Sequence, residues 1–449
     1  MYAYAIGFTE EEMQTKVAKF GGSSLASSGQ FRKVADIIKA DPSRRFIVAS
    51  APGKRDKNDT KVTDLLYSCY NLAVSGDNFE PVLAQIEKRF SDIISELGID
   101  FELDKEIGII RSHLSDKPEK DYMASRGEYL NSKILAKYLG FEFVDAAGFV
   151  SFHRNGKLDN EKTYYNCQEI LLNQHHAVIP GFYGALSNGT VHTFSRGGSD
   201  VTGSIVAGAM HADIYENWTD VSGMLSADPR IVADPKPIRY ISYKELRELS
   251  YMGASVLHED AVFPVRKAGI PINIRNTNRP EDDGTMILPK LEEGMSEGRI
   301  TGVAGIKGFS VLLIEKSMMN SEVGFGAELL DIFADHGVPF EHMPTGIDTI
   351  SLVVNKEAFS EKREQILDDI RKRLNPDQLT VEDDIALVAA VGENKVSNIG
   401  VAADIFKGLA DAGIAVKMID QGSSKLNIII GVAEADYEAT IRCIYDSLR

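Results

Sequence analysis

From Lys16 to about Leu288, short β-branched and aromatic runs alternate with longer stretches whose apolar positions recur every three or four residues. That pattern predicts buried strands joined by amphipathic helices, and hence an α/β domain around a largely parallel sheet. The candidate strands are 17–20, 46–49, 141–144, 177–179, 214–218 and 271–274, and Phe31, Val34, Ile37 and Ile38 mark the first helix. Asn188-Gly189, between Leu186 and Val191, predicts a hairpin inserted into that sheet. The acidic stretch 281–284 and the polar stretch 292–298 are the expected linkers.

Beyond about Ile300 the chain repeats itself. A shift of 76 positions matches Ser321, Gly324, Ala327, Ala334, Asp335 and Gly337 to Ser397, Gly400, Ala403, Ala410, Asp411 and Gly413, and extends to Gly346 and Gly422. In each copy Ser-x-x-Gly opens a helix, Ala-Asp-x-Gly closes it with a glycine past its end, and an alternating strand follows. That strand is 350–354 in the first copy and 426–430 in the second. Neither copy carries obvious catalytic groups, so the repeat reads as a duplicated oligomerisation domain or as a pair of ligand-sensing modules.

Composition narrows the class. A chain of 449 residues predicts two to four domains, at roughly 100–200 residues each. A net charge of −17 disfavours nucleic acid and anionic membranes as partners. No apolar run approaches the roughly 20 residues of a membrane span, and no signal peptide opens the chain, so the cytoplasm is expected. Cys69, Cys167 and Cys443 are odd in number and far apart, which suggests neither a disulfide framework nor a zinc site. Residues 1–15 read as an extension ahead of the first strand.

An anionic ligand on so acidic a chain needs locally concentrated cations. Lys19-Phe20-Gly21-Gly22-Ser23-Ser24 ends the first strand in a turn whose backbone N–H groups, helix start and lysine suit a phosphate. It is neither a Walker A loop nor a dinucleotide fingerprint, and a packing turn with a solvated lysine is the alternative. Ser195-Arg196-Gly197-Gly198-Ser199-Asp200 is a second such turn before a small-residue helix over 201–210. There Ser199 or Asp200 is expected to cap the helix, and Arg196 offers a planar fork for a carboxylate or phosphate; a capped helix with a surface arginine is the alternative. Thr219 and Asp220 leave a strand at its carboxyl end, where ligands bind in open α/β sheets. Asp228-Pro229-Arg230 forms a turn. Glu128, in Ser125-Arg126-Gly127-Glu128 at the opening of a helix, reads as a helix-start carboxylate or as the partner of a substrate ammonium. Ser50 and Thr63 flank a Lys/Asp-rich loop. This inventory, without a Ser-His-Asp or metal-histidine cluster, suits phosphoryl transfer to a carboxylate, which is ionised at neutral pH and needs no general base.

Taken in order, KFGGSS, SAPGKR with Thr63-Asp64-Leu65-Leu66, RGE, SRGGSDVT, WTDVSG with ADPR, GASVLH and the terminal repeat resemble the aspartate kinase family over essentially the whole chain from Lys16. The resemblance implies an amino acid kinase fold, a mostly parallel sheet sandwiched by helices, over 16–298. Tandem ferredoxin-like βαββαβ ACT modules would follow over 299–380 and 381–449. The family's first module is inserted into its second, which would place strand 303–306 with the second.

The implied reaction converts ATP and L-aspartate to ADP and 4-phospho-L-aspartate with Mg²⁺ carried mainly on the ATP phosphates, at the head of the lysine, threonine and methionine pathways. The chain would be a monofunctional kinase. Carried over by motif, Lys19 and Asp200 would be catalytic, with Arg196 on the aspartate α-carboxylate and Glu128 on its ammonium. Ser50, Thr63 and Ser199 would line that pocket. Lys19, Gly21, Gly22, Thr219, Asp220, Leu225, Arg230, Ser255 and Val256 would serve ATP, although Leu225 replaces a common tyrosine and Ser255 the lysine of GAKVLH. Met319, Ser321, Phe325, Gly326, Glu341 and Thr345 would surround a feedback amino acid, lysine or threonine, with lysine favoured because Glu341 suits its ammonium. The implied assembly is a homodimer or dimer of dimers through the ACT modules. Another amino acid kinase and a non-catalytic ACT sensor are the competing readings. The first lacks paired ACT modules.

Overall fold

The computed structural model describes residues 14–448, except Arg196, Ser255, Val256, His258, Glu293, Ser296 and Glu297; at Glu259 and Asp260 it describes the backbone alone. The chain forms two compact units, one of residues up to Met224 with 239–243 and 256–291, the other of 225–238, 244–255 and 292 onward. No helix among the described residues is long and apolar enough to cross a membrane.

The first unit runs β1 (Lys16–Phe20), α1 (Ser28–Lys39), β2 (Arg44–Ala49), α2 (Val62–Ser75), α3 (Glu80–Leu97), α4 (Leu103–Asp116) and α5 (Lys120–Leu139). It continues with β3 (Glu142–Phe143), β4 (Ser151–Phe152), α6 (Asn160–Leu171), β5 (Ala177–Pro180), β6 (Tyr183–Leu186), β7 (Val191–Thr193), α7 (Gly198–Ala209) and β8 (Ile214–Thr219). After β9 (Met224–Leu225), whose second residue already belongs to the other unit, the chain passes through β10 (Pro237–Ile238) of that unit, returns for β11 (Tyr240–Ser242), leaves again along α8 (Tyr243–Tyr251) and completes the first unit with α9 (Glu259–Ala268), β12 (Ile272–Asn276) and β13 (Thr285–Leu288).

Its eight-stranded sheet has the order β11-β13-β12-β8-β1-β2-β5-β3. All neighbours are parallel except β12 and β13. Side chains alternate across a strand. Ala18 and Phe20 of β1 therefore enter the core built with α1 to α5, while Lys19 points to the opposite face, which α7 covers.

Two expectations are corrected here. The Asn188-Gly189 hairpin is not inserted into the main sheet: β6 and β7 form a separate three-stranded sheet with β4. The cause is local, because β5 ends at Pro180 and Phe182 takes the left-handed backbone at φ +80°, turning the chain out of the sheet. Residues 281–284 are no linker but the turn between antiparallel β12 and β13. Gly284 there has φ +71°, and a Cβ would lie 1.9 Å from the Ile274 carbonyl oxygen.

The second unit is organised by two 14-residue antiparallel strands, β14 (Gly302–Glu315) and β17 (Gln378–Val391). Between them lie α10 (Phe325–Asp335), β15 (Phe340–His342), β16 (Thr349–Asn355), α11 (Lys356–Ser360) and α12 (Arg363–Leu374), and after them α13 (Val401–Asp411), β18 (Met418–Asp420), β19 (Asn427–Ala433) and α14 (Tyr437–Leu448). The sheet order is β15-β16-β14-β17-β19-β18. The second half of β14 pairs with β16, whereas its first half pairs with the end of β17, which in turn pairs with β19.

The repeat is visible in the backbone: Gly324 and Gly400 precede equivalent helices at φ +94° and +91°, and Gly337 and Gly413 follow them at +64° and +68°. The expected strand match is corrected, since β16 and β19 start 78 positions apart rather than 76. The extra two residues fall between α13 and β18. An even shift leaves every side chain on its original face.

Candidate active site

Strands β8, β1, β2 and β5 are consecutive parallel neighbours, so their carboxyl ends deliver four turns to one edge of the sheet. The ladder carries on into those turns. Gly21 donates to Trp218 O at 3.0 Å, Ser50 to Phe20 O at 3.1 Å, Gly53 to Gly22 O at 2.8 Å and Gly181 to Ala49 O at 3.0 Å. The turns after β1 and β2 are in backbone contact: a Cβ on Gly22 would stand 2.9 Å from Ala51 O, and one on Gly53 only 2.6 Å from the Gly22 carbonyl carbon. Gly53→Ala is accordingly expected to lower stability by about 1–3 kcal/mol through overpacking. Thermal melts and specific activity should fall together, and an unchanged melt would reject the contact.

Lys19 is 7 % exposed. Its Nζ lies 2.5 Å from Asp200 Oδ1, an oxygen that also accepts from Asn217 Nδ2 at 2.8 Å. A Cβ on Gly21 would be 3.8 Å from the same ammonium, which places the charge above the glycine turn. The expected cap is corrected: α7 begins at Gly198 behind Gly197 at φ +55°, and neither Ser199 nor Asp200 caps it. Asp200 instead sits in the first turn and reaches across to Lys19. Ser199 packs against Gly181, where a Cβ would meet its side chain at 2.6 Å, and a Cβ on Gly198 would come equally close to the Phe182 ring. Arg196 lies outside the described residues.

Glu128 is not at a helix opening. It sits well inside α5, which starts at Lys120 without a capping side chain. The carboxyl is buried and accepts the Ala51 N–H, while its Oε2 has no partner among the described residues. Burial pushes it up to about 8, against the opposing pull of the Ala51 and Glu128 backbone N–H groups and of Arg126. Gly127 permits the approach, since a Cβ there would be 2.7 Å from the Ala51 Cβ. Ser50 begins the loop after β2, and Thr63 is the second residue of α2 at its far end.

Thr219 ends β8 and its hydroxyl donates to Asp220 Oδ1 at 3.2 Å. Leu225 and Arg230 belong to the second unit. Arg230 is exposed and braces its own turn through Asp228, 2.6 Å away. Ser255 and Val256 lie outside the described residues. Of the expected effector residues, Met319 and Phe325 turn their side chains into the apolar core of α10, β14 and β16. Ser321 and Thr345 are exposed, and Gly326 has open space beside it. Glu341 is half-buried, which raises its carboxyl against the opposing pull of His342.

Sequence reasoning missed two buried arginines. Arg89 of α3 donates to Gly53 O at 2.5 Å and Ala26 O at 3.2 Å and pairs with Asp59 at 2.6 Å, tying together the segments that follow β1 and β2. Arg44 of β2 forks onto Glu216 of β8 at 2.7 and 3.1 Å. Nothing in the sequence marks either: one reads as a charge on an amphipathic helix, the other as a strand-end cation.

The amino acid kinase family model matches residues 14–276, and the ACT domain model matches 388–448. Aspartokinase 3 of Bacillus subtilis is 37 % identical over 448 residues, covering 96 % of this chain and 98 % of the relative. The crystal structure of Clostridium acetobutylicum aspartate kinase, described as an allosteric enzyme, superposes with a TM-score of 0.87 at 49 % identity, over 97 % of this chain and 100 % of that one. Escherichia coli aspartokinase III, in complex with aspartate and ADP, shares the fold with a TM-score of 0.72 at 24 % identity, over 97 % and 99 % of the two chains.

Proposed function

The chain belongs to the aspartokinase family, and on that premise we propose that it transfers the γ-phosphoryl group of ATP to the side-chain carboxylate of L-aspartate, yielding ADP and 4-phospho-L-aspartate. The observation that carries this reading is the buried Lys19–Asp200 pair above the Gly21-Gly22 turn. A carboxylate oxygen attacks the γ-phosphorus, the bond to the ADP oxygen breaks, and no proton moves. Lys19 offsets the charge that builds on the transferring group, where a preorganised cation in a dry site has its largest effect. Arg196 would hold the α-carboxylate, with Ser50, Thr63 and Ser199 alongside, while Glu128 receives the ammonium. Thr219, Asp220 and the Gly21-Gly22 backbone would face the nucleotide.

Magnesium would enter as an ion carried by the triphosphate. There the ion would neutralise phosphate charge, and Asp200 would orient it. A colorimetric assay for acyl phosphate, trapped as hydroxamate, tests the proposal; no aspartate-dependent product from Mg-ATP would overturn it.

We further infer that the terminal modules bind an end-product amino acid and restrain the kinase, lysine being favoured because the half-buried Glu341 carboxyl would pair with its side-chain ammonium. The pathway placed behind it is that of lysine, threonine and methionine, and the assembly a homodimer or dimer of dimers through these modules. Titrating activity with lysine, threonine and their mixture decides the effector, and inhibition that survives Glu341→Ala rejects this site.

Glu128 makes a pH prediction. With its carboxyl near 8 against an ordinary 4.5, it holds a proton at neutral pH until an ammonium beside it favours the ionised form. Aspartate binding at pH 7 is therefore expected to expel a proton, seen as a binding enthalpy that varies with the buffer's ionisation enthalpy and ceases to vary in Glu128→Gln. A buffer-independent enthalpy in the parent enzyme would reject it. The same shift acts on stability: between about 4.5 and 8 the folded state binds more protons than the unfolded, so this group's contribution falls as pH rises through that window.

A further inference from the structure

We propose that Asn131 determines specificity for the substrate's amino group, acting with Glu128 as one acceptor pair. This inference rests on the reading that Glu128 receives the ammonium. The two residues stand three apart on α5, on one face of the helix. They grip opposite sides of a single peptide group: Asn131 Nδ2 donates to Ser50 O at 2.7 Å, and Glu128 accepts the N–H of Ala51. A trans peptide points those two groups in opposite directions, so the pair fixes the plane of the peptide at the end of β2. Gly127, against Ala51, lets the helix come close enough to do so.

Each gripping side chain keeps one buried oxygen without a partner among the described residues, Oε2 of Glu128 and Oδ1 of Asn131. Asn131 is fully buried and Glu128 nearly so. The amide cannot turn over to relieve this, because Nδ2 must face the Ser50 carbonyl; the free atom is therefore an acceptor. Two acceptors presented from one helix face, where buried polar groups ordinarily find partners, call for a group with several N–H donors. An ammonium has three. A carboxylate alone would draw any cation, whereas the neutral amide adds direction without adding charge, so the pair selects an amino group.

The test compares the KM for aspartate with the inhibition constant of succinate, which has the same two carboxylates and no amino group. Asn131→Ala is expected to raise the aspartate KM by about 10- to 100-fold, the range for a lost hydrogen bond to a charged group. Both kcat and the succinate constant should stay within about threefold. Asn131→Ser provides the same comparison where the alanine variant fails to fold. A parallel rise in both constants would mean that Asn131 only supports the loop, and would overturn the proposal. Glu128→Gln is measured alongside. If it leaves the preference for aspartate over succinate intact, the underlying reading of Glu128 fails; if it abolishes that preference while both Asn131 variants keep it, only the present inference fails.

Discussion

Lys19→Met is expected to lower kcat by about 10²–10³-fold, the range for removing one preorganised group that stabilises transition-state charge, while the aspartate KM moves by less than about threefold. Methionine keeps the unbranched apolar stem of lysine and ends one atom short of the ammonium, so the space above Gly21 stays largely filled while the charged group is removed. That charge is buried, 2.5 Å from Asp200, and solvent screens it little. Its interaction strengthens as negative charge builds on the transferring phosphoryl group, which is why the loss belongs in kcat. Steady-state kinetics with both substrates varied decide the matter, and a rise in KM at unchanged kcat would assign Lys19 to ground-state binding. Lys19→Arg should not restore the rate, because a planar fork is wider than an ammonium above a turn that already packs backbone on backbone.

Arg44→Met should destabilise the first unit by about 3–5 kcal/mol, since breaking a buried ion pair leaves an uncompensated charge. The partner left behind is Glu216, held by Arg44 at 2.7 and 3.1 Å and by Trp218 Nε1 at 2.8 Å. The side chains of the pair are 7 % and 3 % exposed, so this is no screened surface bridge. Arg44 also donates to Ile37 O at 2.6 Å, which ties α1 to β2. Removing both charges in Arg44→Met/Glu216→Leu should recover much of the loss. Chemical denaturation followed by Trp218 fluorescence measures the difference; equal midpoints for the parent and the single variant would show that the pair contributes nothing net. Activity per folded molecule should survive, because Glu216 points to the face of β8 opposite Asn217 and the Lys19–Asp200 pair.

Expectations held or failed according to how far apart the deciding residues lie. The turn after β1, the positions of the main-sheet strands, the Gly-bounded repeat helices and the family motifs are local signals. A glycine that must sit at positive φ or beneath another backbone, or an apolar position at a fixed period, leaves its mark within a few residues. Such features were legible. Glu128 was misplaced because α5 starts without a capping side chain, so the helix beginning was invisible. The cap of α7 was misread because a left-handed glycine occupies the position that a serine or aspartate would otherwise take.

The amino-acid sequence by itself determined the α/β class, the duplicated terminal modules, the glycine turns and the identity of Lys19, Asp200 and Glu128 as candidates. Tertiary structure alone decided that the hairpin after Phe182 leaves the main sheet, that 281–284 closes a strand pair, and that Arg89, Asn131, Arg44 and Glu216 matter. Those last four are ordinary polar residues in their own segments. Their roles come from partners 36, 81 and 172 positions away, brought together by strand pairing and helix packing that no local pattern encodes. Lys19 marks the boundary between the two: a glycine turn made it visible, but only the fold placed Asp200 beside it.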